Sequence, residues 1–308
     1  MGCRGGEQGR ETGGLMHTLL LPLLCCPGCR GELRASDPPA ASDLQAGTLR
    51  CMSCAATYDV EGGIPILAPR EDLDSYADRW PWGLTHEYLV SRIEQGRADY
   101  AAGGPFAAWV DAAARTRGVV LDIATGPGSS LLGALAPRLT EETHLIATDA
   151  SLYLLPRLKA AWETQRVRPP MDFVAMDGNR WPVRDGVLDA VTSFRGFECV
   201  WDDAARKRSP RFGNAYRQAS RALKPGGRVF ELCGLFAEES ETAAMLEANE
   251  SINASQEKLE SFWQSLDLEV EWAAELGRRQ GKLDPGDAVP ISESDVWWEM
   301  LSVLRKAF

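Results

Sequence analysis

The chain has 308 residues, 44% hydrophobic and 25% charged, which is room for one full α/β domain and a small module in an ordinary globular composition. Its net charge is −11, and the acidity is uneven: residues 231–308 carry 17 acidic and 6 basic side chains, leaving 27 of each in residues 1–230. With no basic block to grip a phosphate backbone, composition argues against nucleic acid as a partner, and the acidic end reads as a solvated face.

Residues 1–15 are Gly-rich and are expected to be disordered, with Met16 a candidate start. The apolar run 15–24 is too short to cross a bilayer and no small-residue cleavage site follows it. Leu24 before Cys25 does not suit a lipid-modified cysteine, and Gly2 lacks Ser or Thr at position 6. The expectation is a cytoplasmic protein with no membrane attachment.

Four of the eight cysteines form two knuckles, Cys26-Pro27-Gly28-Cys29 and Cys51-Met52-Ser53-Cys54, 21 residues apart. Each knuckle turns two thiolates toward one metal, and this spacing is that of a four-thiolate zinc site. Four sulfur ligands leave no open position, so zinc there is structural. Buried or disulfide-linked cysteines are the plain alternative, disfavoured in a reducing compartment. Residues 57–67 then read as strand, Gly62-Gly63 turn and short strand. Cys-Pro-x-Cys, Cys-x-x-Cys and the closing Gly63-Ile64-Pro65-Ile66-Leu67 make residues 16–69 resemble the small zinc-ribbon activator subunit of tRNA and protein methyltransferases. In that subunit the ribbon covers an apolar surface of a catalytic partner, which implies a protein partner as one use of the module.

Residues 70–118 are expected to be a helical connecting or lid segment, broken at Pro81 and near Gly103-Gly104-Pro105. Its aromatics, Tyr76, Trp80, Trp82, Tyr88, Tyr100, Phe106 and Trp109, suit a core or a cap over a bound ligand.

The run Val119-Val120-Leu121-Asp122-Ile123-Ala124-Thr125-Gly126-Pro127-Gly128-Ser129 reads as a buried strand, an acid, a Gly-x-Gly turn and a helix start. Glycines let a ligand approach the backbone, and the helix start offers free N–H groups. Asp122 would repel a dinucleotide phosphate and attract an ammonium group, which suits S-adenosylmethionine. A dinucleotide fingerprint would need glycine where Leu131 stands, and a phosphate-binding Gly-Lys-Ser/Thr is absent. Further strands are read at 144–148 ending in Asp149, 172–176 ending in Asp177, 188–194 and 228–233, with a helix at 217–223 stopping at Lys224-Pro225-Gly226-Gly227. Residues 296–304 fit either a helix or a last strand, and the strand is chosen.

With Asp122, Gly126, Gly128, Asp149, Asp177, Gly178 and Leu223–Arg228 in this order, residues 80–308 resemble the class I S-adenosylmethionine-dependent methyltransferases. Thr125 departs from the Gly or Cys common before that turn. The resemblance implies a doubly wound, Rossmann-like, mostly parallel seven-stranded sheet over 119–308, preceded by the ribbon. It implies Asp122 on the cofactor ammonium, directly or through water, and Gly126 and Gly128 under the methionyl part. Asp149 falls on the ribose hydroxyls, Asp177 on the adenine amino group and Gly178 on a ring nitrogen. If the methyl acceptor must lose a proton, His86 and Glu198 are the candidate bases, with Arg195 and Asp202 nearby. Cys199 and Cys233 read as buried free thiols.

The expected function is methyl transfer to a small-molecule acceptor. One rival is rRNA base methylation, disfavoured by charge and by Ser193-Phe194-Arg195-Gly196 where an Asn-Pro-Pro-Tyr-type base-holding motif would stand. The other is a non-catalytic cofactor-binding adapter.

Overall fold

The computed structural model describes residues 16–36, 43–73, 84–165, 171–200, 213–248, 251–281 and 292–308. The expected disorder of 1–15, the aromatics Tyr76, Trp80 and Trp82, and Asp202 lie outside them. The ribbon region supplies β1 (Met16–His17), β2 (Leu33–Ala35), β3 (Asp43–Leu44), β4 (Gly47–Cys51), β5 (Thr57–Glu61) and β6 (Ile64–Leu67). The connecting segment forms α1 (Arg70–Leu73), α2 (His86–Ala101) and α3 (Gly104–Ala114). Thr85 caps α2 by accepting from the Tyr88 N–H, and Pro105 sits in the first turn of α3, where its missing N–H costs nothing.

Strand and helix then alternate: β7 (Gly118–Asp122), a π-helical segment Ser129–Leu135, β8 (Thr143–Asp149), α4 (Leu155–Glu163), β9 (Met171–Met176) and β10 (Leu188–Phe194). After them come α5 (Gly213–Ala222), β11 (Leu223–Phe236), α6 (Glu241–Ala248), α7 (Gln256–Gln264), β12 (Leu268–Gln280) and β13 (Val296–Lys306). The segment left open between helix and strand is β13, paired antiparallel with both β11 and β12. Asp295, just before it, caps α6 by accepting from the Glu241 N–H at 2.8 Å.

The sheet is larger than the expected seven strands. Eleven strands run in the order β12-β13-β11-β10-β7-β8-β9-β6-β5-β4-β2. The seven from β12 to β9 make up the expected number, with β12 added to the six strands read in the sequence, and the ribbon adds four. The join is parallel, Ile66 opposite Ala175 and Leu67 opposite Met176. All four residues of β6 are buried, as a strand covered on both faces requires. The core is also continuous: Leu24, Leu33, Leu49 and Val60 of the ribbon pack in one cluster with Ile146, Val174, Met176 and Trp181. The apolar surface by which such a ribbon would meet a partner is therefore turned inward onto this chain's own sheet.

The turn Lys224–Gly227 is both break and strand. Leu188 pairs with Leu223 and Ala190 with Arg228, so these four residues bulge out of a strand that begins earlier than expected.

Candidate functional site

Strands β7, β8, β9 and β10 run parallel, so Asp122, Asp149, Asp177 and Phe194 come to one edge of the sheet, where ligands bind in doubly wound folds. Beyond β7, Ala124 has φ +49°, Gly126 +56° and Gly128 +75°, a run of left-handed backbone that folds the turn back over the strand ends. A side chain at Gly126 would meet only the Ala124 carbonyl, at 3.8 Å, so the turn presents open backbone there. At Gly128 a β-carbon would press on Leu132 at 2.9 Å, and glycine is required for packing as well as for its φ.

Asp149 organises this turn. Its Oδ2 accepts from the Gly126 N–H at 2.9 Å and its Oδ1 from the Ser151 N–H at 2.8 Å. Asp177 similarly accepts from the Asn179 N–H at 2.9 Å and holds the turn after β9. The neighbouring Gly178 has no space for a side chain, because Val200 Cγ2 lies 2.5 Å from where a β-carbon would be.

Asp122 stands at the end of β7, as expected, but is enclosed there. It is 1% exposed, accepts from Thr192 Oγ1 at 2.6 Å and is also bonded by Thr125. Burial pushes its carboxyl up to about 7. A carboxyl group so enclosed supports the turn from below and is not placed for direct contact with an ammonium group. Thr125, the departure from the family pattern, is a structural tie: its N–H donates to the Thr148 carbonyl at 2.8 Å and its Oγ1 accepts from the Thr148 N–H at 3.1 Å. Thr192 gave no signal in the sequence, because its partner is 70 residues away.

Of the candidate bases, His86 is exposed at the first turn of α2. Glu198 lies just past β10, buried at 5% exposure, with Arg195 Nε donating to Oε2 at 3.2 Å and the Gly234 N–H donating to Oε1. Burial raises its carboxyl. Arg195 is itself left-handed, with φ +61°, and its guanidinium lies 5.3 Å from the Trp297 ring. Gly196 beside it admits no side chain, since a β-carbon would stand 2.1 Å from the Ile123 carbonyl. Arg195 and Trp297 belong to this edge, and spacing alone did not single out Trp297.

Deeper under the same strands, Glu231 is buried, accepts a hydrogen bond from the Tyr216 hydroxyl, and is pushed up to about 8 by desolvation. Its other oxygen has no hydrogen-bond partner among the described residues. The folded chain therefore keeps a proton there that the unfolded chain releases near its ordinary 4.5. The resulting stability is full below that value and is lost as pH rises through about 8. Glu231→Gln is expected to flatten the fall in unfolding free energy between pH 5 and 8 by on the order of a few kcal/mol, measured by urea denaturation. An unchanged slope would mean that Glu231 ionises in the fold.

The ribbon cysteines converge. Sγ atoms of Cys26, Cys29, Cys51 and Cys54 all lie within 4.8 Å of one another, with Cys29 and Cys51 3.4 Å apart and Cys26 and Cys54 3.7 Å apart. Cys26 and Cys51 are buried, Cys29 and Cys54 exposed. Tight turns, a tetrahedral count and sulfur ligands fit a zinc ion. A cavity of about 460 Å³ runs from this knuckle to the sheet edge, lined by Pro27, Gly28, Tyr58, Leu67, Asp177 and Arg180 among others. A larger one, about 640 Å³, opens at the strand starts beside Asp189, Lys224 and Gly226, away from the aspartates.

Residues 120–227 match the family model of a methyltransferase domain. The chain is 30% identical over 121 residues to the ubiquinone/menaquinone biosynthesis C-methyltransferase UbiE of Bartonella tribocorum, an alignment covering 39% of this chain and 43% of that protein. To the same enzyme of Bartonella henselae it is 32% identical over 122 residues, with the same coverage. The chain thus spans less than half the length of these curated relatives. Among solved structures it is similar to phosphoethanolamine N-methyltransferase 2 of Haemonchus contortus, in complex with phosphomonomethylethanolamine and S-adenosylhomocysteine. That match has a TM-score of 0.50 and 12% identity, and covers 82% of this chain and 63% of that one. This likeness establishes the methyltransferase fold for the sheet. The matched residues 120–227 include the turn and all three strand-end aspartates.

Proposed function

We propose that this chain is an S-adenosylmethionine-dependent methyltransferase acting on a small-molecule acceptor, with a zinc ion held structurally by Cys26, Cys29, Cys51 and Cys54. The observation that carries the reading is the Gly126–Asp149 tie: an open glycine turn bonded to an acid at the next strand end, inside the matched domain. When bound, S-adenosylmethionine supplies an electrophilic methyl group on a sulfonium.

The residues divide the work of holding it. Gly126 and Gly128 give close approach to backbone, Asp149 offers two oxygens to the ribose hydroxyls, and Asp177 with the Gly178 N–H takes the adenine edge. Asp122 fixes the turn through Thr192 and Thr125. Glu198 serves as a positioning residue that ties the segment after β10 to Gly234 of β11, and with it Arg195 beside Trp297. Orientation of an acceptor in line with the methyl group is the main contribution asked of the protein, and it is worth several kcal/mol of the barrier. His86 and Glu198 remain the candidate bases for an acceptor that must lose a proton. Four thiolates around one metal suit a reducing compartment, and the proposal includes a cytoplasmic location.

The test is calorimetry with S-adenosylmethionine, followed by a turnover assay on small hydroxyl, amine and activated-carbon acceptors. Cofactor binding with turnover of a small acceptor is expected, and binding without turnover on any acceptor would favour an adapter. Binding to total rRNA is expected to be undetectable at ~150 mM salt, where weak phosphate attraction is screened. Tight, salt-sensitive rRNA binding with base methylation would overturn the small-molecule reading.

A further inference from the structure

Two of the chain's three histidines meet a buried aspartate at the end of the sheet opposite the cofactor edge. His144 and Asp172 are the second residues of β8 and β9, and His17 ends β1 of the ribbon region. Asp172 Oδ2 lies 2.6 Å from His144 Nε2 and 3.3 Å from His17 Nδ1. Its Oδ1 accepts from the His17 backbone N–H at 3.0 Å, which fixes the orientation of the carboxylate. Asp172 is 1% exposed and shares its sheet face with Val174 and Met176, which pack with Met16 and Leu20 in the core.

A carboxylate this buried needs a positive charge nearby. Lys159 supplies part of that charge through space, its ammonium donating to the Gly62 carbonyl and not to Asp172 itself. Two imidazoles face it within hydrogen-bond distance. A divalent cation brings the charge and uses a lone pair from each ring. Ligands around a tetrahedral zinc stand about 3.3 Å apart. His17 and Asp172 already have that separation, and His144 needs to draw back by less than an ångström. The His17 side chain is 38% exposed, which provides an entry side and a place for a water as fourth ligand.

We propose that His17, His144 and Asp172 form a second site for a borderline divalent ion such as Zn²⁺ or Co²⁺, separate from the cysteine site. The ion clamps β1 to the starts of β8 and β9. The donor set of two imidazoles and one carboxylate differs from four thiolates, and this difference makes the two sites separable by spectroscopy.

The experiment uses the full chain, stripped of metal under reducing conditions and titrated with Co²⁺. Metal content is read by mass spectrometry and ligand type by absorption. The wild type is expected to take up two ions per chain, only one of them with thiolate-to-cobalt charge transfer. His17→Gln, at a half-exposed position, and His144→Gln are each expected to lose the ion without that band and to keep the thiolate-bound one. A wild type that takes up a single, thiolate-bound ion would overturn the proposal. So would a second ion that persists in both variants, which would place it elsewhere.

Discussion

Serine at both Cys26 and Cys51 is expected to abolish zinc binding at the cysteine site, lower the melting temperature by on the order of 10 °C or more, and weaken S-adenosylmethionine binding. The substitution removes one thiolate from each knuckle, and two remaining ligands do not close a tetrahedral site. Small metal ribbons draw their folding energy from the ion, so β4 and β5 are expected to loosen once it is gone. Damage does not stop at the ribbon. Leu24, Leu33, Leu49 and Val60 lie in the same core cluster as Ile146, Val174 and Met176, so their exposure opens the underside of the sheet. Each such side chain contributes about 1.5–3 kcal/mol when fully buried. Strand β6 would lose its outer neighbour β5, and β9, which β6 flanks, carries Asp177 at its end. Pro27 and Gly28 of the first knuckle also line the cavity that reaches Asp177. Metal analysis, thermal melting and calorimetry with cofactor read the three effects separately. Full zinc retention in the double variant would remove the thiolate assignment. Zinc loss with unchanged cofactor affinity would leave the site in place and show that the ribbon does not brace the cofactor edge.

Local chemistry was the part of this protein written plainly in its sequence. The cysteine knuckles were legible because ligand identity and spacing are fixed within a few residues of each other, and the sulfurs do converge. The aspartates at strand ends were legible because each follows a short apolar run, and three parallel strands do bring them to one edge. Pairing between distant segments was not legible. Ile64–Leu67 read as the end of a ribbon, yet it joins β9 more than a hundred residues away. A cue was present in its four consecutive apolar residues, which suit burial on both faces better than a ribbon edge. β12, Leu268–Gln280, is harder to read: Leu268, Val270 and Trp272 alternate with Glu269 and Glu271, but the pattern breaks at Ala273-Ala274, and this edge strand is mostly exposed and rich in charge. Asp122 reads as a ligand because it stands beside a Gly-x-Gly turn. Its burial depends on Thr192, which only the pairing of β7 with β10 brings into reach.

Asp149→Ala is expected to weaken S-adenosylmethionine binding about ten- to a hundredfold, since charge-assisted hydrogen bonds of roughly 1.5–3 kcal/mol are lost. Two causes act in one direction. The carboxylate oxygens each have more than one acceptor position, so Asp149 can hold Gly126 and Ser151 and still receive two ribose hydroxyls. Alanine removes the acceptors for the ribose and also unties the Gly126 N–H, which lets the glycine turn drift from its open form. Asp149→Asn separates the causes. It keeps one oxygen, but its amide nitrogen must face either Gly126 or Ser151, donor against donor, so it is expected to fall between wild type and alanine. A cofactor analogue lacking one ribose hydroxyl supplies the decisive comparison. It should bind wild type more weakly than the intact cofactor does, yet lose little further affinity in Asp149→Ala, because the partner of the missing hydroxyl is already gone. Additive losses from the analogue and the substitution would mean that the ribose is held elsewhere and that Asp149 acts only on the turn.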